Sequence, residues 1–324
     1  MEMPFELREA LEQQLQDKKL DQMMLDSQAI SLRYRTQGGK GERLLTSDDE
    51  ALSYAVSRMP ATFGAVFEAL DKTITGTFEK EICRPLTLLD VGAGTGAASW
   101  AADTILELKN VKCLERELAM RILGKALMEN GSQVLQETEW IEYDLDAEDI
   151  PYKVDIVIAS YVLNEMTEDG RRRAIDKLWD SAQMIMLLVE PGTPVGFSHL
   201  NEARRILLER GAHIAAPCPH EADCPKGTGD WCHFTCRVAR SRLHRRLKGG
   251  EAPYEDEKFS YVAFTRIARS SDDSLRILRH PQVRSGHVML EVCTADGTKR
   301  LTLTKKDGER YKKARKASAG DEIN

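Results

Sequence analysis

The spacing of apolar residues changes character at about residue 86. Before that point it is helical: Leu7, Leu11 and Leu15 share one face, and Ser47 with Glu50 forms a capping box ahead of ALSYAVSRM. Pro60 interrupts this run and ATFGAVFEAL resumes it, so residues 1–80 read as a helical region. Beyond it, short apolar runs alternate with amphipathic stretches. Strands are predicted near 86–91, 111–115, 140–145, 154–161 and 184–190, and helices near 96–109, 117–129, 170–182 and 198–210. This alternation predicts an α/β fold with a doubly wound parallel sheet, covered on both faces. Residues 212–217 and 259–266 read as the last two strands of a Rossmann-like domain over 81–268, which leaves 218–258 as an insertion. HVMLEVC and TKRLTLTK, joined by a turn at Asp296-Gly297, predict a small β-extension over 269–317. The remaining 318–324 reads as a fraying tail.

The loop after the first strand carries the clearest chemistry. In LLDVGAGTGAASW, Asp90, Gly92, Ala93, Gly94 and Gly96 lie between a strand and a helix, where glycines let backbone N–H groups approach a ligand. Glu115 ends the next strand, 19 residues after Gly96, where a carboxylate can accept hydrogen bonds from ribose hydroxyls. Asp144 follows the third strand, beside the expected adenine position. Ser160 and Asn164 follow the fourth, where Asn164 either holds a ligand edge or caps a turn. The spacing alone fits NAD as well as S-adenosylmethionine. Asp90 before the first glycine and the acid after the third strand resemble class I methyltransferases. No residue stands out as catalytic.

Composition adds a compartment and a charge pattern. The 324 residues include seven cysteines, too few for a disulfide scaffold in a chain able to bury its own core. The amino terminus lacks a signal-peptide pattern and no apolar run is long enough to span a membrane, so the expected location is cytoplasmic. The net charge of −6 conceals two basic strips, one over 237–248 and one over 299–316. Arg240, Arg242, Arg245, Arg246 and Lys248 in the first, with Lys312, Lys313, Arg315 and Lys316 in the second, are candidate contacts for a polyanion.

Cys218, Cys224, Cys232 and Cys236 are spaced C-x5-C-x7-C-x3-C in a polar, proline-containing loop, which suits zinc or an iron–sulfur cluster. Cys293, at the end of a predicted strand, competes with Cys236 for the fourth position, and His220 and His233 are further candidates. Cys236 could instead lie in a basic helix beginning there. Cys83 and Cys113 read as packing residues. An NAD-linked oxidoreductase with an electron-transfer cluster would explain the glycines and thiols but not the basic strips.

RMPATF (58–63), LLDVGAGTG (88–96), SYVLNE (160–165), VEPGTP (189–194), DWCHF (230–234), EDEKFSYVA (255–263) and SGHVMLEVCTADG (285–297) together resemble a methyltransferase-like family. That family is associated with the mitochondrial small ribosomal subunit and its bacterial relatives, and the match covers about 58–317. The resemblance implies S-adenosylmethionine as cofactor, small-subunit rRNA or the assembling subunit as partner, and a 4Fe-4S cluster on Cys218, Cys224, Cys232 and Cys293. It leaves two functions open, rRNA methylation or a non-catalytic assembly factor built on the same fold.

Overall fold

The computed structural model describes residues 1–323 except 17, 19, 38–46, 79–81, 227–228, 248–249 and 269–273. The amino-terminal region is helical: α1 (Phe5–Gln14), α2 (Leu20–Gln37) and the long α3 (Asp48–Thr73). Ser47 caps α3 by accepting a hydrogen bond from the Glu50 N–H at 3.2 Å. Contrary to expectation, Pro60 does not interrupt α3. It lies inside the helix among the buried Met59, Ala61 and Phe63, where packing of a whole helical face outweighs one lost backbone bond.

The alternating part follows as β1 (Leu86–Val91), α4 (Ala97–Ile105), β2 (Leu108–Glu115), α5 (Leu118–Met128), α6 (Gln133–Gln136), β3 (Glu139–Glu142), β4 (Val154–Ser160), α7 (Glu168–Ser181), β5 (Ala182–Pro191) and α8 (Pro194–Glu209). It continues with β6 (His213–Ala216), β7 (Phe234–Ala239), α9 (Arg242–Leu247) and β8 (Tyr254–Thr265). The sheet runs β3-β2-β1-β4-β5-β8-β6, parallel except for β8, which lies antiparallel to β5 and β6. This order, with its antiparallel strand between β5 and β6, is the class I methyltransferase-like fold. One apolar layer joins the sheet to α3 and α4, and another joins it to α7 and α8. β4 and β5 are buried on both sides, which is why their sequences run apolar without alternation.

The segment between β6 and β8 departs from its expected form. β8 begins at Tyr254 rather than 259, and its first half pairs with β7. The alternation in FTCRVA and YEDEK gives each strand one exposed face, and the opposite face of β7 packs on α3. Cys236 therefore lies on a strand, not in a basic helix.

The carboxy-terminal part contains β9 (Leu275–Ile277), β10 (Gln282–Arg284), β11 (His287–Thr294), β12 (Gly297–Thr304), α10 (Gly308–Lys316) and β13 (Glu322–Ile323). The expected β11–β12 hairpin is present with Thr294 opposite Gly297. The sequence reading missed α10, which buries only Tyr311 and Ala314 and so shows little apolar period. It also took 318–323 for a frayed tail, whereas β13 pairs with β9 and Ile323 is buried in a separate apolar cluster with Val288, Val292 and Leu303. No described helix is long and apolar enough to cross a membrane.

Candidate functional site

β1 lies where the strand order reverses, so a cleft opens beyond the carboxyl ends of β1, β2 and β4. The chain leaves β1 through Gly92, Gly94 and Gly96, all at positive φ. A Cβ at Gly94 would meet nothing within 4 Å, because this residue faces the open cleft. At Gly96, φ is +84° and a Cβ would stand 2.5 Å from Met128 Cε. Gly96 thus permits the turn into α4 and its close packing on α5.

Glu115 ends β2 beside this loop. Its Oε2 accepts from the Gly94 N–H at 2.8 Å and its Oε1 from the Glu117 N–H at 2.7 Å. Burial raises its pKa, while these two backbone donors pull it back down. Gly92, Gly94, Glu115, Asp144 and Ser160 all line the cleft. Asp90, Ala93, Gly96 and Asn164 do not. The Asp90 carboxylate is fully buried, accepts from Ser99 N–H and Oγ at 3.1 and 2.9 Å, and so ties α4 to β1. Burial pushes its pKa up to about 7. The backbone N–H of Asn164 donates to Glu190, as does that of Leu163 at 2.9 Å, so the carboxylate of Glu190 holds the turn after β4 against β5.

Several lining residues escaped the sequence reading. Glu117, Asp146 and Glu165 add three carboxylates to those of Glu115 and Asp144, and Arg116 is the one guanidinium among the described lining residues. Burial, reinforced by the negative charge of Glu115, pushes Glu165 up to about 8. Tyr161 also lines the cleft, in the left-handed region at φ 64°, with its hydroxyl donating to Glu257 Oε1 at 3.0 Å. The density of acids just beyond β2, β3 and β4 was the available signal.

A second cavity lies at the β8–β6 edge of the sheet and gathers Cys218, Cys224, Cys232 and Cys293. Cys218 follows β6, Cys224 lies in the next loop, Cys232 precedes β7, and Cys293 comes from β11. Burial raises the thiol pKa values of Cys218 and Cys232 and pushes Cys293 up to about 12, with neighbouring thiols adding to each shift. Cys236 is elsewhere, its Sγ packed toward Gly64 of α3. His220 Nε2 lies 3.4 Å from Cys293 Sγ, whereas His233 does not line the cavity. Cys113 is buried beside Ser99 and Cys83 is exposed.

No three His, Cys, Asp or Glu side chains among the described residues converge tightly enough for a single metal ion. Tetrahedral zinc at about 2.3 Å per bond would need thiolates only about 3.8 Å apart. What the structure does bring together is a donor set, three half-buried thiols and the buried Cys293 around one cavity with no disulfide among them.

The basic strips fare differently from one another. Arg240 is ion-paired with Glu255, and the neighbouring Arg237 with Asp256, because the basic β7 lies against the acidic half of β8. Arg242 and Arg246 are exposed on α9, Arg245 is half-buried, and Lys248 lies outside the described residues. On α10, Lys312 pairs with Glu309 at 2.6 Å, and Lys313, Arg315 and Lys316 are exposed. Lys305, Lys306 and Arg310 continue that exposed face.

Comparison with known proteins fixes the lineage. Residues 48–324 match the family described as mitochondrial small ribosomal subunit Rsm22. The human ribosome assembly protein METTL17, mitochondrial, is 28% identical over 303 residues, covering 86% of this chain and 64% of that protein. The Rsm22-cox11 tandem protein 2, mitochondrial, of Schizosaccharomyces pombe is 25% identical over 332 residues, covering 85% of this chain and 43% of its own length. The chain thus spans less than two thirds of either relative. Among solved structures, the magnesium protoporphyrin IX methyltransferase of Synechocystis with bound S-adenosylmethionine aligns over 75% of this chain and 97% of its own, at 14% identity and a TM-score of 0.44. The expected cytoplasmic location is overturned, since the family and both relatives are mitochondrial. Composition and a missing signal-peptide pattern do not encode that compartment.

Proposed function

The chain belongs to the mitochondrial small ribosomal subunit Rsm22 family, and from that premise we propose that it is a methyltransferase-like assembly factor of the small ribosomal subunit that binds S-adenosylmethionine and rRNA. The observation that carries the cofactor is the acidity of the cleft: five acidic side chains, of which Glu165 ionises only near pH 8, against one guanidinium among its described lining residues. Such a lining repels the diphosphate of a dinucleotide and attracts a cation. When bound, S-adenosylmethionine supplies an electrophilic methyl group on a positively charged sulfonium. Glu115 would take the ribose hydroxyls with its remaining lone pairs while keeping the Gly94 amide in place. Asp144 would border the adenine, and Glu165 would face the cationic end. Asp90 and Gly96 act indirectly, by holding the loop that presents Gly92 and Gly94.

The exposed basic face of α10, extended by Lys305, Lys306 and Arg310, supports rRNA phosphate binding. The α9 strip contributes through Arg242 and Arg246, and less through Arg240, whose charge Glu255 already offsets. Cys218, Cys224, Cys232 and Cys293 would hold a 4Fe-4S cluster between the sheet and the carboxy-terminal module. Methyl transfer to rRNA is the second reading, favoured by Ser160 and Tyr161 lining the cleft at the tip of β4. Ribosome profiles and rRNA methylation maps of a deletion strain test both. Loss of mature small subunits rescued by a Glu115→Ala variant indicates assembly without cofactor, and a lost methyl mark indicates transfer. Unchanged small subunits would refute the proposal.

A further inference from the structure

The cavity between the four thiols and the sheet contains no carboxylate among its described lining residues, yet three cations line it: Arg204, Arg276 and Lys226. Two of these have their own counter-anions. Arg276 is ion-paired with Glu322 at 2.9 Å, and Lys226 with Asp230 and Glu291. Arg204 has none. It is 6% exposed, its Nη2 donates to the carbonyls of His220 and Ala222, and its Nε has no partner among the described residues. The guanidinium lies beside Cys218 in the same cavity, where its charge acts on the thiol. A second unpartnered donor faces the same space: Tyr261 is 5% exposed, and its hydroxyl has no partner among the described residues.

A buried guanidinium without an anion is costly, by several kcal/mol after relaxation, and a buried hydroxyl without a partner adds to that cost. Two such groups in one cavity imply that something negative and rich in acceptors completes it. Four thiolates around a metal centre carry net negative charge and present sulfur acceptors. We infer that Arg204 is the counter-cation, and Tyr261 a hydrogen-bond donor, of the anionic centre held by Cys218, Cys224, Cys232 and Cys293. The inference rests on the ligand assignment proposed above. Both are positioning residues, acting on the centre through charge and hydrogen bonding rather than as ligands. Arg204 also fixes the loop that carries two of the ligands, through the carbonyls of His220 and Ala222.

The test uses the full chain, purified anaerobically, as wild type and as Cys224→Ser, Arg204→Met, Arg204→Lys and Tyr261→Phe. Metal content, rate of metal loss to a chelator and midpoint potential are measured on each. Metal in the wild type and its loss in Cys224→Ser establish the ligand assignment independently of Arg204. Given that, Arg204→Met is expected to move the potential negative and to speed metal loss at least tenfold. Arg204→Lys should restore much of both, and Tyr261→Phe should show the same changes to a smaller degree. The isosteric Tyr261→Phe and the charge-retaining lysine variant decide the matter even where Arg204→Met does not fold. Unchanged potential and loss rate in Tyr261→Phe, with Arg204→Met equally unchanged or, where it does not fold, with Arg204→Lys far from wild type, would overturn the inference while leaving the ligand assignment intact. A metal-free wild type would overturn both.

Discussion

The two cavities of this molecule are opposites in charge and in origin. The cleft at the tips of β1, β2 and β4 is lined by carboxylates, and the cysteine cavity by cations without a carboxylate among its described lining residues. The first is assembled from consecutive strand ends, the second from β6, two loop positions and a strand 61 residues after Cys232. In both, the charge left uncompensated indicates the sign of what belongs there: a sulfonium in one, a metal–thiolate centre in the other.

The largest effect that would sharpen this contrast lies in the cysteine cavity. Cys232→Ser should abolish metal binding and release the carboxy-terminal module, read as new proteolytic cleavage between β8 and β9. Its Arg276 anchor to Pro217 and Gly320, at 2.7 Å each, would lose the loop it grips. Metal removal by a chelator should produce the same cleavage. Retained resistance in the metal-free protein would separate the cavity from the docking of the module.

A second effect belongs to the module's surface. Reversing Lys313, Arg315 and Lys316 to glutamate should weaken RNA binding about a hundredfold at moderate salt and flatten its salt dependence by roughly three contacts. Arg240→Gln should change affinity less than threefold, because that guanidinium is already paired. Equal effects from the two strips would contradict the distinction.

The cleft should respond to pH through its buried acids. Glu165, with its pKa pushed up to about 8 by burial, is largely protonated below that pH and charged above it. Affinity for a cationic ligand should therefore rise between about pH 7 and 9, and Glu165→Gln should flatten the rise. The sign for folding is the reverse. A carboxyl whose folded pKa is raised loses stability as pH climbs from its ordinary value toward the folded one, so Glu190, pushed up to about 8, should make the ligand-free protein less stable at pH 8 than at pH 5.5. Thermal melting of Glu190→Gln, with a shallower pH dependence, checks it. Gly96→Ala should cost about 1–3 kcal/mol of folding stability, from the positive φ and the Met128 contact, as read by thermal melting.

How far the sequence foretold these regions follows from their construction. The cleft's frame was legible because Gly92, Gly94 and Glu115 lie in local strand–loop patterns. Glu117, Asp146 and Glu165 were not, since their convergence depends on how neighbouring strands are aligned. Cys293 was a competitor for the fourth position from its place at the end of a predicted strand, and only the resemblance of sequence preferred it to Cys236, because no local spacing relates β11 to the loop after β6. The segment 234–239 was misread because its apolar positions, Phe234, Cys236 and Val238, sit among charges that look like a helix face. α10 was missed for the same reason in reverse, with two buried residues in nine.

The most direct test of the account is calorimetric titration of the purified chain with S-adenosylmethionine, S-adenosylhomocysteine and NAD, on the wild type and Glu115→Ala. The acidic cleft predicts one saturable site that prefers the sulfonium to the neutral thioether, rejects the dinucleotide, and is lost in Glu115→Ala. Binding of NAD at that site, or no binding of S-adenosylmethionine by folded, metal-loaded protein, would contradict it.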